Sequence, residues 1–206
     1  MDEKSTLDTT AEKIFNVKST EEAALLHTPC TPVTQEDKIK DAKKSIMSIF
    51  EKRIGTCLGV AAPQVGVSKC FFLGQFGLNK NSVFPRKELN RLKYKNAVFM
   101  INPKITFKSE HTNTHMEGCL SIDKVMYMVP RPIRVSVEYL NVDFKKVSAV
   151  LCGWDAYVFM HEFDHLNGIT IDQVPGAVKL EIKEQEPEKI DIPLPSEMKE
   201  EDNAGN

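Results

Sequence analysis

The chain has 206 residues, of which 41% are hydrophobic and 27% are charged, and its formal net charge is −2. These values are typical of a single globular domain, and the charge excludes the basic balance of nucleic-acid-binding proteins. No apolar run is long enough to span a membrane, so we expect neither DNA nor a membrane as a partner. The five cysteines form no CxxC pair, which indicates a reducing environment where each thiol acts on its own.

The two ends of the chain differ in composition from its middle. Residues 1–20 are polar and are interpreted as an N-terminal extension. Residues 179–206 form an acidic, proline-containing tail that cannot bury much apolar surface, and we expect this tail to be disordered. The folded part is therefore predicted to be one domain over residues 21–178.

The pattern of apolar residues predicts two helices and several short strands. The first helix should begin near Thr34 and Asp37 and stop at Gly55. Short β-like segments follow at 70–73, 97–101, 105–107, 126–129, 133–139 and 147–151. A second helix is predicted over Trp154–Leu166, with Gly168 just beyond its end. We expect an α+β fold with short, mostly antiparallel strands around a central helix, the second one.

The second predicted helix carries the sequence HEFDH at 161–165. Histidines four residues apart project from one helical face, so His161 and His165 can bind the same metal ion. Glu162 lies about 100° round the helix, close enough to act on a water at the metal without being a ligand. With only five histidines in the chain, a chance pairing is the weaker interpretation.

A catalytic divalent ion usually has three protein ligands and one open position. The candidates for the third ligand are His111, His115, Glu117 and Cys119. An isolated cysteine is most often an inert buried thiol, but Cys119 follows the flexible Gly118 within the sequence MEGCLS, which favours it as a ligand.

A third segment, CLGVAAPQ at 57–64, contains small residues that allow a ligand or another backbone to approach closely. It ends in Gln64, whose amide could donate to a developing oxyanion. Taken alone, the segment is better interpreted as a tight connection with Gln64 facing the solvent.

These three segments together resemble the motifs of the peptide deformylase family: CLGVAAPQ, EGCLS at 117–121, and HEFDH. The resemblance covers roughly residues 22–175 and implies that Cys119, His161 and His165 hold the metal. The metal would be Fe²⁺, with Ni²⁺, Co²⁺ or Zn²⁺ as substitutes. The implied reaction removes the formyl group from the N-terminal formyl-methionine of newly made polypeptides and releases formate, with Glu162 as the general base.

The resemblance also implies how the substrate is bound. Gln64 and the backbone N–H of Leu120 would face the oxyanion, and Gly59 and Val60 would line the substrate groove. The residues one and two turns before His161 would line a pocket for the methionine side chain: Trp154, Tyr157 and Val158. Core packing would explain these three equally well.

The sequence departs from the family pattern at Cys57, where the first motif usually begins with Gly. This Cys, for which we expect an ordinary φ, and Gly153-Trp154 before the HExDH motif are similar to mitochondrial members. They favour a mitochondrial location over the bacterial cytoplasm or a plastid. Residues 79–95 carry six basic residues and one acid, and are predicted to be an inserted hairpin or loop. A transient ribosome contact by this segment is a weaker interpretation than a solvated loop.

Two other functions stay open at this point. An HExxH-type metalloprotease shares the helical motif, but protease sites of that type use a carboxylate or a histidine as third ligand. A metal-binding pseudoenzyme associated with the ribosome is the second alternative, and the presence of Glu162 and Gln64 weighs against it.

Overall fold

The structure, a computed structural model, describes residues 13–93 and 96–181. Within them lie four α-helices: α1 (Thr20–Leu26), α2 (Lys40–Lys52), α3 (Arg86–Leu89) and α4 (Trp154–Leu166). The same residues form eight strands: β1 (Gly59–Ala61), β2 (Phe71–Gln75), β3 (Ala97–Lys108), β4 (Thr112–Cys119), β5 (Ile122–Pro132), β6 (Arg134–Leu140), β7 (Lys146–Cys152) and β8 (Val178–Leu180). The predicted α+β class is confirmed.

The strands form two antiparallel sheets, one with the order β1-β2-β3-β6-β7 and one with the order β4-β5-β8. Helix α4 packs against β1, β2 and β7 of the larger sheet and against β5 of the smaller one. The HExDH motif therefore lies on a helix that contacts both sheets. Among the described residues, no helix is long and apolar enough to cross a membrane.

Helix α2 carries the predicted apolar face, and Ile46 and Phe50 on that face are buried in the core. The helix begins at Lys40, however, so the predicted start near Thr34 is wrong. Thr34 donates its backbone N–H to the Asp37 carboxylate at 2.7 Å, and Asp37 pairs with Lys69 at 2.8 Å. These contacts fix a separate turn before the helix.

The regions assigned to the two ends lie partly outside the described residues. Two residues of the predicted N-terminal extension bind the folded domain through their backbones. Phe15 donates its N–H to the Gln64 carbonyl at 2.8 Å, and Val17 donates its N–H to the Ser121 carbonyl at 3.1 Å. Residues 14–17 therefore connect the first two motifs. Strand β8 pairs with β5, and the predicted tail beyond residue 181 lies outside the described part.

The basic segment at 79–95 belongs to the long connection between the antiparallel neighbours β2 and β3. It contains the one-turn helix α3, while residues 94 and 95 lie outside the described part. Arg91 in this segment pairs with Glu88 at 3.1 Å and with Asp143 at 2.6 Å. Part of the positive charge of the 79–95 segment is therefore neutralised within the protein.

Candidate active site

The candidate site lies where strand β4 runs beside helix α4 in the same direction. Alternate residues of a strand share one face, and β4 turns three of them toward the helix: His115, Glu117 and Cys119. Helix α4 presents three residues one turn apart: Tyr157, His161 and His165. The rings of His115 and Tyr157 stack at 3.9 Å. Glu117 Oε2 lies 2.8 Å from His161 Nδ1, and Cys119 Sγ lies 3.3 Å from His165 Nε2.

Cys119, His161 and His165 come together as a possible metal site. Their ligand atoms all lie within 4.8 Å of one another. Burial alone would raise the pKa of Cys119, but the two neighbouring histidines lower this pKa to about 5, which favours the thiolate. One thiolate and two imidazoles are a donor set for Zn²⁺ and other divalent transition metals, and they leave a fourth position open. The residues present therefore fit a catalytic metal ion.

Glu117 orients one of these histidines. It accepts a hydrogen bond from His161 Nδ1, and its two oxygens accept from Arg131 at 2.8 and 3.0 Å. Arg131 is buried and also pairs with Asp164 on α4. Burial alone would raise the pKa of Glu117, but His115, His161 and Arg131 hold it well below its usual range. This arrangement leaves Nε2 of His161 for the metal.

The sequence analysis missed Arg131. The available signal was a charged residue within the apolar run at 129–133, where a buried strand has no room for an unpaired charge. Its two carboxylate partners lie on other elements, Glu117 on β4 and Asp164 on α4.

Glu162, the second residue of the HEFDH motif, is buried, and its Oε2 has no hydrogen-bond partner within the described residues. Burial raises the pKa of Glu162 to about 7, although His161 and His165 act in the opposite direction. The side chain packs directly on Gly59, where an added Cβ would lie 2.3 Å from Oε1. A carboxylate with a near-neutral pKa and a free oxygen is suited to general-base chemistry.

Gln64 faces the site and is only 1% exposed, so the interpretation that it faces the solvent is wrong. Its Oε1 accepts from the backbone N–H of Ala61 at 2.9 Å, which fixes the orientation of the amide. Its Nε2 donates to Ser121 Oγ at 3.2 Å and lies 3.7 Å from Cys119 Sγ. Leu120 follows a register shift between β4 and β5 and lines the same cavity as Gln64.

A cavity of about 180 Å³ opens beside Glu162. Gly59, Trp154, Tyr157 and Val158 line it, so the structure places these four predicted residues together. Tyr157 and Val158 are mostly buried, whereas Trp154 is half exposed at 50%.

Two residues lie elsewhere than the sequence suggested. Val60 does not line the cavity, because side chains alternate along β1 and its side chain is fully buried in the core beside α2. His115, a candidate metal ligand, instead forms part of the cavity wall, stacked on Tyr157 and edge-on to Trp154 at 5.4 Å. His115 and Cys119 share one face of β4 but lie four residues apart, about 13 Å along the strand, which separates His115 from the Cys119 cluster.

Cys57 has no positive φ, as expected from the sequence. Its thiol is buried and donates to the Gly59 carbonyl at 3.0 Å. Burial, followed by the charge of Glu162, raises the pKa of Cys57 to about 12. Cys57 is therefore a small buried residue in an unstrained backbone conformation.

Comparisons with known proteins point to one family. A sequence model of the Polypeptide deformylase family matches residues 13–179. The peptide deformylase of Thermotoga neapolitana is 34% identical over 160 residues, which cover 75% of this chain and 84% of that protein. The crystal structure of peptide deformylase from Thermotoga maritima matches with a TM-score of 0.63 and 31% identity, covering 79% of this chain and 97% of that one. A Met-Ala-Ser-bound class I type b peptide deformylase from Acinetobacter baumannii matches with a TM-score of 0.63 and 27% identity, covering 79% and 98%.

Proposed function

Because the chain belongs to the peptide deformylase family, we propose that it hydrolyses the N-formyl amide of formyl-methionyl peptides and releases formate. The observation that carries this proposal is a buried Glu162 with a free oxygen, placed beside the Cys119, His161 and His165 cluster and an open cavity. A relative that binds the peptide Met-Ala-Ser supports a substrate that begins with methionine.

The family is metal-dependent, and the three clustered residues would hold the ion in this chain. We propose Fe²⁺ as that ion, with Ni²⁺, Co²⁺ or Zn²⁺ as substitutes, because a mixed thiolate and imidazole set accepts all four. When bound, the ion supplies Lewis-acid activation of water and of the formyl carbonyl.

Glu162 then moves the proton. Its Oε2, which has no partner among the described residues, accepts a proton from the attacking water as the new carbon–oxygen bond forms. The same carboxyl gives this proton to the amine nitrogen as the carbon–nitrogen bond breaks. The second proton of the water leaves the formyl hydroxyl and ends on the amine, so the products are formate and a peptide with a protonated N-terminus, and atoms and charges balance.

Gln64 and Leu120 stabilise the oxyanion in this proposal. The amide of Gln64 is already oriented by Ala61, so its Nε2 can donate without a conformational search. The backbone N–H of Leu120 is the second donor. Removal of one such donor typically slows a reaction by about 100- to 1,000-fold.

The methionine side chain occupies the cavity, where Tyr157, Trp154 and His115 form an aromatic wall and Val158 adds an aliphatic surface. Sulfur makes favourable contacts with aromatic rings, so this wall suits a thioether. Gly59 has no side chain, so its backbone lies directly against Glu162 and can contact the substrate there.

The cysteine in the metal-site cluster weighs against an HExxH endopeptidase, because protease sites of that type use a carboxylate or a histidine as the third ligand.

A mitochondrial location rests on Cys57 and Gly153-Trp154 alone, and the relatives compared above are bacterial. A fluorescent fusion of the full-length protein tests this location in cells. Contact with the ribosome through residues 79–95 is likewise a proposal, and co-sedimentation with ribosomes tests it.

Release of formate from formyl-Met-Ala-Ser tests the proposed function directly. The protein should be loaded anaerobically with Fe²⁺ or Ni²⁺. We expect activity that falls at least about 100-fold in Glu162→Gln, the lower end of general-base contributions, while the metal content is unchanged. Glu110→Gln, an exposed carboxylate on the β3–β4 turn, is the matched control and should keep full activity. Failure to release formate with any of the four metals would contradict the proposal.

A further inference from the structure

Cys30 and Cys70 are far apart in sequence but adjacent in the fold. The Cys70 thiol donates to the Cys30 carbonyl at 3.1 Å, so the Cys70 sulfur lies against the Cys30 residue. Both residues are half-buried and pack against the core beneath α4. This pair lies outside the metal site and has no part in the proposed reaction.

The backbone on each side of the pair is fixed by hydrogen bonds. Cys30 donates its N–H to the Leu166 carbonyl, the last residue of α4, at 2.9 Å. Cys70 donates its N–H to the Thr31 carbonyl at 2.9 Å, and its carbonyl accepts from Asn102 at 2.8 Å. The backbones of the two cysteines are therefore held next to each other by the fold.

We propose that Cys30 and Cys70 are a dithiol modification site that forms an intramolecular disulfide with a low-molecular-weight disulfide such as oxidised glutathione. One thiolate attacks the glutathione disulfide, forms a mixed disulfide and releases one reduced glutathione. The second thiolate then attacks the protein sulfur of the mixed disulfide and releases the other. The two cysteine sulfurs are oxidised, one glutathione disulfide is reduced, and the two thiol protons end on the released glutathiones.

Cys70 is the better first nucleophile. The neighbouring Cys30, followed by the charge of Lys69, lowers the pKa of Cys70, whereas the neighbouring Cys70 and burial raise the pKa of Cys30. Cys57 and Cys119 are poor competitors for this reaction. The raised pKa of Cys57 disfavours its thiolate, and Cys119 belongs to the proposed metal site.

The disulfide would close the loop from residue 30 to residue 70, which contains α2 and the first motif at 57–64. One end of this loop is hydrogen-bonded to the end of α4. Because the Cys70 sulfur already lies 3.1 Å from the Cys30 carbonyl oxygen, closure requires little movement of the active site. We therefore expect higher stability without loss of activity, through the smaller conformational entropy of the unfolded chain.

Peptide mapping tests the proposal with a readout that does not depend on deformylase activity. The full-length protein is incubated with oxidised glutathione, free thiols are alkylated, and the sample is digested with trypsin without reductant. Cleavage after lysines gives peptides 19–38 and 70–80, which contain Cys30 and Cys70. We expect these peptides to be joined, and to separate after reduction. Joined peptides of any other cysteine pair, or glutathione that stays on either cysteine, would overturn the proposal.

Thermal unfolding provides the second measurement. Oxidation should raise the melting temperature by about 5–10 °C in the wild type and in Cys152→Ser, a half-buried cysteine that serves as the control. It should have no such effect in Cys30→Ser or Cys70→Ser. An equal rise in the Cys30→Ser variant would overturn the assignment. The proposed function is unaffected by either outcome, because it is measured separately as formate release.

Discussion

Replacement of Gly59 by alanine is expected to displace the base of the reaction by direct contact. A Cβ at this position would lie 2.3 Å from Oε1, 2.6 Å from Cδ and 2.7 Å from Cγ of Glu162. Glu162 is 3% exposed and borders the cavity, so a displaced carboxylate can move only toward the space that the substrate would occupy. The φ of Gly59 lies outside the left-handed region, so the alanine backbone itself is not strained.

The size of the effect follows from two opposing contributions. Overpacking of a filled core costs about 1–3 kcal/mol of unfolding free energy. Replacement of glycine by alanine at a compatible φ contributes about 0.4–1 kcal/mol through the lower entropy of the unfolded chain. We therefore expect Gly59→Ala to destabilise the protein by about 1–2 kcal/mol. In a Glu162→Ala background the contact is absent, and the same change should stabilise the protein by about 0.4–1 kcal/mol.

A double-mutant cycle measures this reversal of sign. Wild type, the two single variants and the double variant are unfolded thermally, and the coupling free energy is calculated from the four values. Formate release by Gly59→Ala should fall at least about 100-fold, because the displaced carboxylate no longer reaches the attacking water. The reasoning is refuted if Gly59→Ala destabilises the protein equally in both backgrounds, since the cost would then arise elsewhere.

Three further substitutions test the remaining parts of the site. Cys119→Ala should abolish binding of one equivalent of metal, measured by elemental analysis, whereas Cys152→Ala should keep it. Cys57→Gly should lower the unfolding free energy by about 0.5–1 kcal/mol, because Cys57 has no positive φ to relieve; higher stability in thermal unfolding would contradict this. His115→Leu should reduce the preference in kcat/KM for formyl-methionine over formyl-norleucine peptides by about 2- to 10-fold, because a sulfur–aromatic contact is lost. An unchanged ratio would remove His115 from the methionine pocket.

Helix α4 could be predicted from the sequence because its signals are local. The spacing of His161 and His165, the hydrophobic residues before them and Gly168 after them all lie within one short segment. Strand β4 was missed because its sequence is mostly polar. Five of its eight residues are exposed, and it is stabilised by pairing with β5, which no local pattern reveals.

The placement of Cys119 shows most clearly where local sequence patterns stop being sufficient. Two residues along a strand advance about 6.8 Å, and four residues along a helix advance about 6.0 Å. The mismatch is about 0.8 Å per pair, so a strand and a parallel helix stay aligned over only a few successive pairs. The contacts of His115 with Tyr157, of Glu117 with His161 and of Cys119 with His165 are three such pairs.

The alignment of these pairs determines the chemistry of each β4 residue. A shift of β4 by one residue would bring Met116 and Gly118 to the side that faces the helix. Cys119 would then point away from His161 and His165. That register is set by the pairing of β4 with β5 and by the register shift after Gly118, both of which involve residues distant from the HExDH motif. The sequence favours Cys119 among four candidates through its MEGCLS setting, and the fold adds what no local pattern contains, a sulfur 3.3 Å from His165 Nε2.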